Sequence, residues 1–393
     1  MKVLITNHHL LDYTGSEIFT LELSKFLKKK GFDVFVYSKF INKLSSKFKE
    51  LEIPLITNLE LIKKIKFDIA HVHHNISAYE VRYFFPNLPI IYLSHGIIPF
   101  LEQPPITILD IDISYYLAVS EEVKKNLILN YKIPKEKVEI FRNIVDSKIF
   151  FPISEINEKP KNALILSSKI DSQTESIIRE ALYKLNIKLN IVGQRFGMIE
   201  YYEIPKHINN ADIVFSLGRG VIETMMCGRI PIVYDYQGGD GVVTTKNIKE
   251  IMKNNFSGRR YKLKFTVNSL IKEINKYEKE SAKELRNYAL KYFDGETNTK
   301  KLIKIYEKVI NIPIKKLDKK QYQKLENIIQ IIDETKGYAY NFSNNLINDL
   351  YSNINKQESY IQNLETQLNT IKSAKFFKLW QTYCAIRKKI IGR

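Results

Sequence analysis

The chain has 393 residues, of which 44% are hydrophobic, and a formal net charge of +18. This length predicts two domains with an extension, and the apolar content excludes an intrinsically disordered chain. Two cysteines cannot form a disulfide framework, and runs of about 18 apolar residues, the length of a membrane-spanning helix, are absent from the sequence. The opening MKVLIT is typical of a buried strand, not of a signal peptide, so we expect a cytoplasmic protein.

Residues 1–150 alternate predicted strands and helices. Helices are predicted from about Ser16 and after Ser120, which has the residue type of an N-cap. The predicted strands cover residues 2–6, 33–37, 68–72, 90–93, 115–119 and 138–141. Nearly continuous apolar strands that alternate with helices favour a parallel sheet covered on both faces. Residues 151–161, which contain two prolines, read as a linker to a second domain.

A second strand–helix series covers residues 151–312. Its predicted strands are 163–166, 189–192, 213–215 and 230–234, and its predicted helices are 173–185, 205–209, 267–293 and 297–310. Two open parallel sheets of this kind bind ligands beyond the carboxyl ends of their strands. We therefore expect a cleft between the two domains.

The most informative stretch is 213–244. A strand runs into the turn Gly218-Arg219-Gly220, a short helix with Glu223 follows, and a second strand leads to Gly238-Gly239-Asp240-Gly241. Glycine loops at strand ends expose backbone N–H groups, which together with a helix N-terminus suit a diphosphate, while a carboxylate suits ribose hydroxyls. The alternative is a buried βαβ unit whose glycines only form turns.

From residue 313 the pattern changes to an extension, 313–393. Apolar residues and Gln357 follow alternating three- and four-residue steps over 347–371, roughly four heptads, which predicts a coiled coil or an amphipathic helix packed on the protein. Residues 375–393 hold six Lys or Arg and no acid, beside an aromatic and aliphatic stripe. This predicts a helix in a membrane interface, with docking on the protein's own surface as the alternative.

The basic charge also invites a nucleic-acid reading, but two observations weaken it. The whole chain is rich in Lys, Ile, Asn and Tyr, and the densest uncompensated basic segment is the extreme C-terminus. An anionic membrane would serve that segment equally well. We therefore predict no nucleic-acid partner.

Three segments together resemble retaining group-1 (family four) glycosyltransferases, which use nucleotide sugars and have the GT-B fold. MKVLITNHHLLDYTGSEIFTLELSKFLKKKGFDVFVYS resembles the family opening, and AVSEEVKKNLILNYKIPKEKVEIFRNIVDSKIF resembles the end of its first domain. ADIVFSLGRGVIETMMCGRIPIVYD resembles the donor-site segment. The resemblance covers roughly residues 1–310 and implies two Rossmann-like doubly wound domains that face a cleft, followed by the helical extension.

The resemblance also implies roles for individual residues. Glu223 would hold the ribose hydroxyls, and His95 would lie in the cleft against the transferring sugar. Lys169 would neutralise the departing diphosphate, with Arg195 or Arg219 in place of a second basic residue that the segment SQTES lacks. The implied glycines at the donor or acceptor are Gly15, Gly193, Gly218 and Gly220.

One departure from the family concerns its pair of glutamates, which seven residues separate. The position eight before Glu223 is Phe215, so the first carboxylate is absent unless another residue replaces it. An inactive GT-B protein that binds sugar or acts as a scaffold is therefore the alternative function, and a GT-B sugar-nucleotide epimerase is another.

No metal or cofactor other than the donor is predicted. The histidines His8, His9, His71, His73 and His74 lack a Cys or carboxylate at the spacing of a closed zinc site. The resemblance implies metal-independent sugar transfer to a glycan or glycolipid. A C-terminal helix at the cytosolic membrane face, where lipid-linked acceptors reside, would suit cell-surface polysaccharide synthesis. The predicted partners are the nucleotide sugar, the acceptor, the cytosolic membrane surface and a homo-oligomer through the coiled coil.

Overall fold

The computed structural model describes residues 1–98, 100–167, 170–193, 199–236 and 238–373. The chain divides into two units, Met1–Glu326 and Asn327–Arg393. The first unit is a mixed α/β structure that contains two sheets. The second consists, over its described residues, of the larger part of one long helix.

The first sheet has seven strands in the order β3-β2-β1-β4-β5-β6-β7, all parallel. Its strands are Lys2–Leu10 (β1), Asp33–Ile41 (β2), Leu55–Ile56 (β3), Ile69–His73 (β4), Ile90–Ser94 (β5), Tyr115–Ala118 (β6) and Val138–Ile140 (β7). The helices between them are Gly15–Lys29 (α1), Ser45–Glu50 (α2), Asn75–Phe84 (α3) and Glu121–Leu129 (α4). The strand order reverses between β1 and β4, and this reversal is where such sheets bind ligands.

Helix α3 was not predicted. Its buried side chains include Asn75, Glu80 and Arg82, so the apolar spacing of a surface helix is missing from its sequence. The Arg82 guanidinium donates hydrogen bonds to backbone carbonyls of neighbouring segments, for example to that of Ile111 at 2.9 Å and to that of Leu88 at 3.0 Å. Buried polar groups of this kind are tolerated because they are hydrogen-bonded, and they conceal the helix from a periodicity analysis.

The second sheet has five strands in the order β12-β11-β10-β8-β9. Its strands are Asn162–Leu166 (β8), Lys188–Val192 (β9), Ile213–Ser216 (β10), Ile230–Asp235 (β11) and Gly238–Val242 (β12). The first four are parallel, and their order reverses between β8 and β10. The first sheet lies within the predicted domain 1–150 and the second within 151–312; the bounds themselves stay predictions.

The structure corrects the expectation of a second glycine loop at residues 238–241. They do not form a second phosphate-binding loop, because β12 pairs antiparallel with β11 and Gly239 exchanges hydrogen bonds with Leu263. A Cβ on Gly239 would lie 2.5 Å from the Val233 carbonyl oxygen. These glycines therefore allow close approach of two backbones in a sheet edge.

The remaining helices are Ser172–Lys184 (α5), Ile204–Asn209 (α6), Arg219–Met226 (α7), Ile248–Met252 (α8), Val267–Ile274 (α9), Lys279–Phe293 (α10), Gly295–Val309 (α11) and Lys319–Ser373 (α12). The single helix predicted over 267–293 is thus two helices. In the described part of the chain, no helix has the length and apolar content to cross a membrane. The predicted membrane-interface segment, 375–393, lies outside the described residues.

Candidate functional site

A cavity of about 390 Å³ lies at the carboxyl ends of the strands of the second sheet and faces the loop that follows β1. Strand ends and the α7 turn contribute Leu166, Ser167, Val192, Gly193, Ser216, Leu217, Arg219, Gly220, Glu223, Asp235 and Tyr236. The loop after β1 and the start of α1 contribute Asp12, Tyr13, Thr14, Gly15 and Ile18. Ile199, Tyr201 and Ile204 complete the lining. The predicted cleft between the two sheet-bearing parts is therefore present, and its size suits a small ligand.

The turn before α7 brings its helix to the edge of the cavity. Gly218 has φ +56°, a backbone conformation that favours glycine, and its N–H donates to the Phe256 carbonyl at 2.9 Å. Gly220 serves packing, because an added Cβ would lie 2.1 Å from the Ser216 hydroxyl oxygen. The turn thus has architectural functions and also presents the first backbone N–H groups of α7 beside the cavity.

Glu223 lies on α7 and lines the cavity, although only 4% of its surface is exposed. Its Oε1 accepts a hydrogen bond from Arg219 Nε at 2.6 Å. Burial raises the pKa of Glu223 to about 7; Arg219 opposes this shift and Glu22 adds to it. The carboxyl group is therefore neither sealed from the cavity nor exposed to open solvent.

Arg219 is held by groups from both sheet-bearing parts. Besides Glu223, its guanidinium donates to the Ile144 carbonyl at 2.7 Å, to Glu22 Oε2 at 2.7 Å and to the Tyr201 hydroxyl at 2.8 Å. Burial opposes the charge of Arg219, but Glu22, Tyr201 and Glu223 outweigh it and raise its pKa well above the usual range. Arg219 is therefore a permanent cation inside the protein.

This position differs from the predicted role of Arg219 as a ligand of the leaving diphosphate. Four of its five N–H groups are committed to protein acceptors. A guanidinium that already neutralises Glu22 and Glu223 has little free charge for an additional anion. The geometry makes Arg219 the residue that orients Glu223.

Glu22 and Tyr201 are site residues that the sequence analysis missed. Tyr201 donates to Glu22 Oε1, and the Asp146 N–H donates to the same oxygen at 3.2 Å. Glu22 is 179 residues from Tyr201 and 197 from Arg219 along the chain. Glu22 lies one helical turn from Ile18 and Phe26, among buried residues of α1. This acid on an apolar helix face was the one available sign of its role.

Asp235 is a second carboxylate in the cavity wall, at the end of β11. It accepts hydrogen bonds from the Ser167 hydroxyl and from the Tyr236 N–H, the latter at 2.7 Å. Phe215, which occupies the position of the missing first glutamate, is fully buried in β10. The cavity therefore has a carboxylate besides Glu223, and this carboxylate comes from β11 and not from β10, which carries Phe215.

The loop that follows β1 is shaped by Glu17. Its carboxylate accepts hydrogen bonds from the backbone N–H groups of Leu11 at 2.6 Å, Asp12 at 3.2 Å and Thr14 at 3.0 Å, and from the Thr14 hydroxyl at 2.6 Å. Gly15, beside this loop, lines the cavity, and a Cβ there would meet nothing within 4 Å. A glycine at 15 is therefore not needed for packing and leaves space in the cavity.

His95 lies in a cluster of six histidines at the carboxyl ends of β1, β4 and β5, and outside the described set of residues that line the cavity. The His95 Nε2 atom is 2.9 Å from His73 Nδ1, and the backbone N–H of His95 donates to the Glu102 carboxylate at 2.7 Å. The other members of the cluster are His8, His9, His71 and His74, joined by ring contacts of 4.9 to 6.4 Å. The predicted contact of His95 with a transferring sugar stays a prediction.

Burial is the main electrostatic influence on these imidazoles. It lowers the pKa of His71 to about 3, of His8 to about 4 and of His95 to about 4, with nearby histidines adding to the shift and Glu102 opposing it at His95. These three rings are therefore neutral at pH 7. Among the described residues, no group of three or more His, Cys, Asp or Glu could hold a metal ion.

Of the other predicted site residues, Gly193 lines the cavity at the end of β9. Lys169 and Arg195 lie outside the described residues.

Comparisons with known proteins agree with this architecture. Residues 13–148 match the family model described as Glycosyltransferase Family 4. No curated protein matches the sequence. Among solved structures, a glycosyltransferase from Rickettsia africae is similar at 19% identity and a TM-score of 0.55, over 79% of this chain and 98% of that one.

Two further structures show that the fold is shared by more than one activity. Anabaena HepE in complex with UDP and glucose is similar at 13% identity and a TM-score of 0.57, over 78% of this chain and 100% of that one. A putative UDP-N-acetylglucosamine 2-epimerase from Listeria monocytogenes is similar at 14% identity and a TM-score of 0.52, over 79% of this chain and 96% of that one. The family match over residues 13–148 and the shared fold agree with the resemblance to group-1 glycosyltransferases of the GT-B fold.

Proposed function

We propose that this chain is a GT-B glycosyltransferase that moves a sugar from a nucleotide-diphosphate donor to a hydroxyl group of a glycan or glycolipid. One observation carries the proposal: Glu223 faces a cavity at the carboxyl ends of the second sheet, opposite the Gly15 loop. Its carboxyl group can accept hydrogen bonds from a ribose diol, and the N-terminus of α7 beside it favours a diphosphate. The complex of Anabaena HepE with UDP and glucose supports a donor of this chemical class.

The reaction breaks the bond between the anomeric carbon and the diphosphate oxygen while the acceptor oxygen bonds to that carbon, and the proton of the acceptor hydroxyl passes to the departing diphosphate. Negative charge grows on the departing diphosphate, so positive groups must face it. The described charges in the cavity wall are Asp12, Glu223, Asp235 and Arg219, and Arg219 already serves two carboxylates. We therefore assign the positive potential to the α7 N-terminus with Lys169 and Arg195, in a reaction that needs no metal.

Asp235 is our candidate for the missing first carboxylate. It lies in the wall of the same cavity as Glu223, and hydrogen bonds from Ser167 and the Tyr236 N–H hold it in place. A fixed carboxylate at this point can accept hydrogen bonds from hydroxyls of the transferring sugar. His95, on the side of the first sheet, is proposed to lie against the transferring sugar.

Binding of a nucleoside diphosphate to the full chain tests the donor site by calorimetry. Glu223→Gln should weaken binding about 10- to 100-fold, the cost of a lost hydrogen bond to a charged group. Glu180→Gln is the matched control, because Glu180 is exposed on α5 and pairs with Lys184. If the wild-type chain binds no nucleoside diphosphate, the proposal is wrong.

The cationic residues need a separate comparison. Lys169→Ala and Arg195→Ala should each weaken binding of the diphosphate more than binding of the nucleoside alone. Lys188→Ala, at an exposed position of β9, controls for a general loss of positive charge. Equal effects of all three substitutions would contradict the assignment.

Two alternative functions are separated by product analysis. An epimerase, which the similar Listeria structure brings into consideration, would convert the sugar nucleotide in the absence of any acceptor. An inactive sugar-binding or scaffolding protein would bind the nucleotide and release nothing. Sugar transfer, by contrast, requires the acceptor and releases the nucleoside diphosphate, which NMR of the reaction mixture distinguishes.

The proposed place of action is the cytosolic face of the membrane, in cell-surface polysaccharide synthesis. The support is the basic, aromatic composition of residues 375–393, which suits an anionic lipid surface. The full chain should float with liposomes that contain anionic lipid, whereas a chain truncated after Ser373 should not. Equal flotation of both would overturn the membrane assignment.

A further inference from the structure

Helix α12 carries an exposed apolar stripe toward its C-terminal end. Ile361, Leu364 and Leu368 are 53%, 44% and 49% exposed, respectively. They follow one another at steps of three and four residues, so they share one face of the helix. We propose that this face binds a second copy of the chain, as a parallel, in-register, two-stranded coiled coil over residues 347–371.

The helix is long enough for such a pairing. It runs from Lys319 to Ser373 without interruption, which corresponds to about 80 Å at 1.5 Å per residue. Isolated apolar residues on a surface are common, whereas a seam of them at heptad spacing is not explained by chance exposure. We therefore expect a second helix with heptads of the same length to cover the seam.

The residue types at the seam favour two parallel strands. Heptad position a holds Ile347, Ile354, Ile361 and Leu368. Position d holds Leu350, Gln357, Leu364 and Ile371. Ile at three of the four a positions, with Leu350 and Leu364 at d, is the combination that favours parallel dimers, and among the apolar residues only the last pair, Leu368 and Ile371, departs from it.

Gln357 selects the register and the direction. In a parallel pair aligned without a shift, each d residue meets the same residue of the other copy, so the two exposed Gln357 amides can hydrogen-bond to each other. In an antiparallel pair, d residues meet a residues, and every a residue here is Ile or Leu. Any other alignment would bury the amide without a partner, which is unfavourable.

The charges beside the seam agree with self-association. Residues 347–373 contain three acids and two lysines, so two copies repel little even though the whole chain carries +18. Glu358 and Glu365 both occupy position e, and the e positions of antiparallel helices face each other. In the parallel arrangement these glutamates instead face position g, which holds Asn353 and Tyr360. Because this stretch carries no excess of positive charge, its composition does not indicate binding to nucleic acid or to a membrane.

Light scattering of the full chain during size exclusion tests the pairing. The wild type should elute with twice the chain mass at micromolar concentration, and Leu364→Lys should elute as a monomer. Gln362→Lys adds the same charge one face away, at an exposed position, and should remain dimeric. Circular dichroism of both variants checks that the helix is retained. A monomeric wild type, a trimer or tetramer, or a dimer that survives Leu364→Lys would overturn the proposal.

Oxidative cross-linking tests the register independently of the mass. In a chain with Cys384→Ser, Leu364→Cys should form a disulfide between copies, because position 364 meets its own copy. Gln362→Cys should cross-link at least tenfold more slowly. Equal cross-linking of the two variants, or none for Leu364→Cys, would show that the parallel in-register arrangement is wrong. Nucleotide binding is unaffected by either outcome, so the test is separate from that of the proposed function.

Discussion

Glu22 of α1 and Arg219 of α7 form a buried ion pair that links the two sheet-bearing parts of the protein. Glu22 Oε2 lies 2.7 Å from Arg219 Nη2, and the two side chains are 2% and 9% exposed, respectively. The same guanidinium holds Glu223 at 2.6 Å. The orientation of the cavity carboxylate therefore depends on a residue of the other half of the fold.

The first prediction concerns this ion pair. Glu22→Gln leaves the charge of Arg219 with one carboxylate instead of two, so the free energy of unfolding should fall by about 3 kcal/mol. Urea denaturation measures the change. The exposed Glu180→Gln should stay within about 0.5 kcal/mol of the wild type. A loss at Glu22 no larger than that of the control would contradict the structural role.

The second prediction concerns the pH dependence that Glu223 confers. Its folded pKa of about 7 lies above its ordinary value of 4.5, so folding favours the protonated form. The resulting stability is fully present below pH 4.5 and is lost as the pH rises through 7. Relative to Glu223→Gln, the wild type should lose about 3 kcal/mol of unfolding free energy between pH 4.5 and pH 8. If the unfolding free energies of the two proteins change equally with pH, the pKa of Glu223 is not raised in the folded state.

The third prediction has the opposite sign and concerns His71. Its pKa is lowered from 6.5 to about 3 by burial, so the folded state favours the neutral ring. This contribution is present above pH 6.5 and is lost as the pH falls toward 3. His71→Asn should therefore reduce the loss of stability between pH 7 and pH 5 by about 2 kcal/mol.

Tyr306→Phe provides the control for His71. The Tyr306 hydroxyl lies 2.7 Å from His71 Nδ1, so its removal should lower stability by about 1 to 3 kcal/mol at every pH. The titrating ring remains, and the slope of stability against pH should remain with it. Should both variants keep the wild-type slope, His71 would not be a source of acid sensitivity.

The fourth prediction compares two glycines of the cavity. Gly220→Ala should destabilise the fold by about 1 to 3 kcal/mol, because its Cβ would displace the Ser216 hydroxyl, which donates to the Leu166 carbonyl at 2.7 Å. Gly15→Ala has free space and should leave stability within about 0.5 kcal/mol. Its methyl group nevertheless enters the cavity, so nucleotide binding should weaken. Thermal melts and calorimetry on both variants separate the two effects.

Local patterns in the sequence were enough to predict the alternating strands and helices and the turn before Glu223. Apolar runs such as those of β1 and β4 report directly on buried parallel strands. Helix α3 was not predicted because its buried face contains polar residues. Residues 238–241, which belong to the strand Gly238–Val242, were expected to form a loop, but glycines also permit close strand pairing.

The interactions that shape the site were harder to foresee. Phe215 occupies the position of the first glutamate, and the lining of the cavity by Asp235 depends on which strand ends meet in space. Likewise, the pairing of Glu22 with Arg219 joins residues 197 positions apart. Such contacts are properties of the tertiary fold and have no counterpart in the spacing of residues along the chain.

The four hydrogen bonds that Glu17 accepts from residues 11–14 have a consequence for ligand recognition. They hold the loop beside the cavity in one conformation before any substrate arrives. Its conformational entropy is therefore lost during folding and not during association. A preorganised loop of this kind lets the contacts made by an incoming substrate contribute to affinity in full.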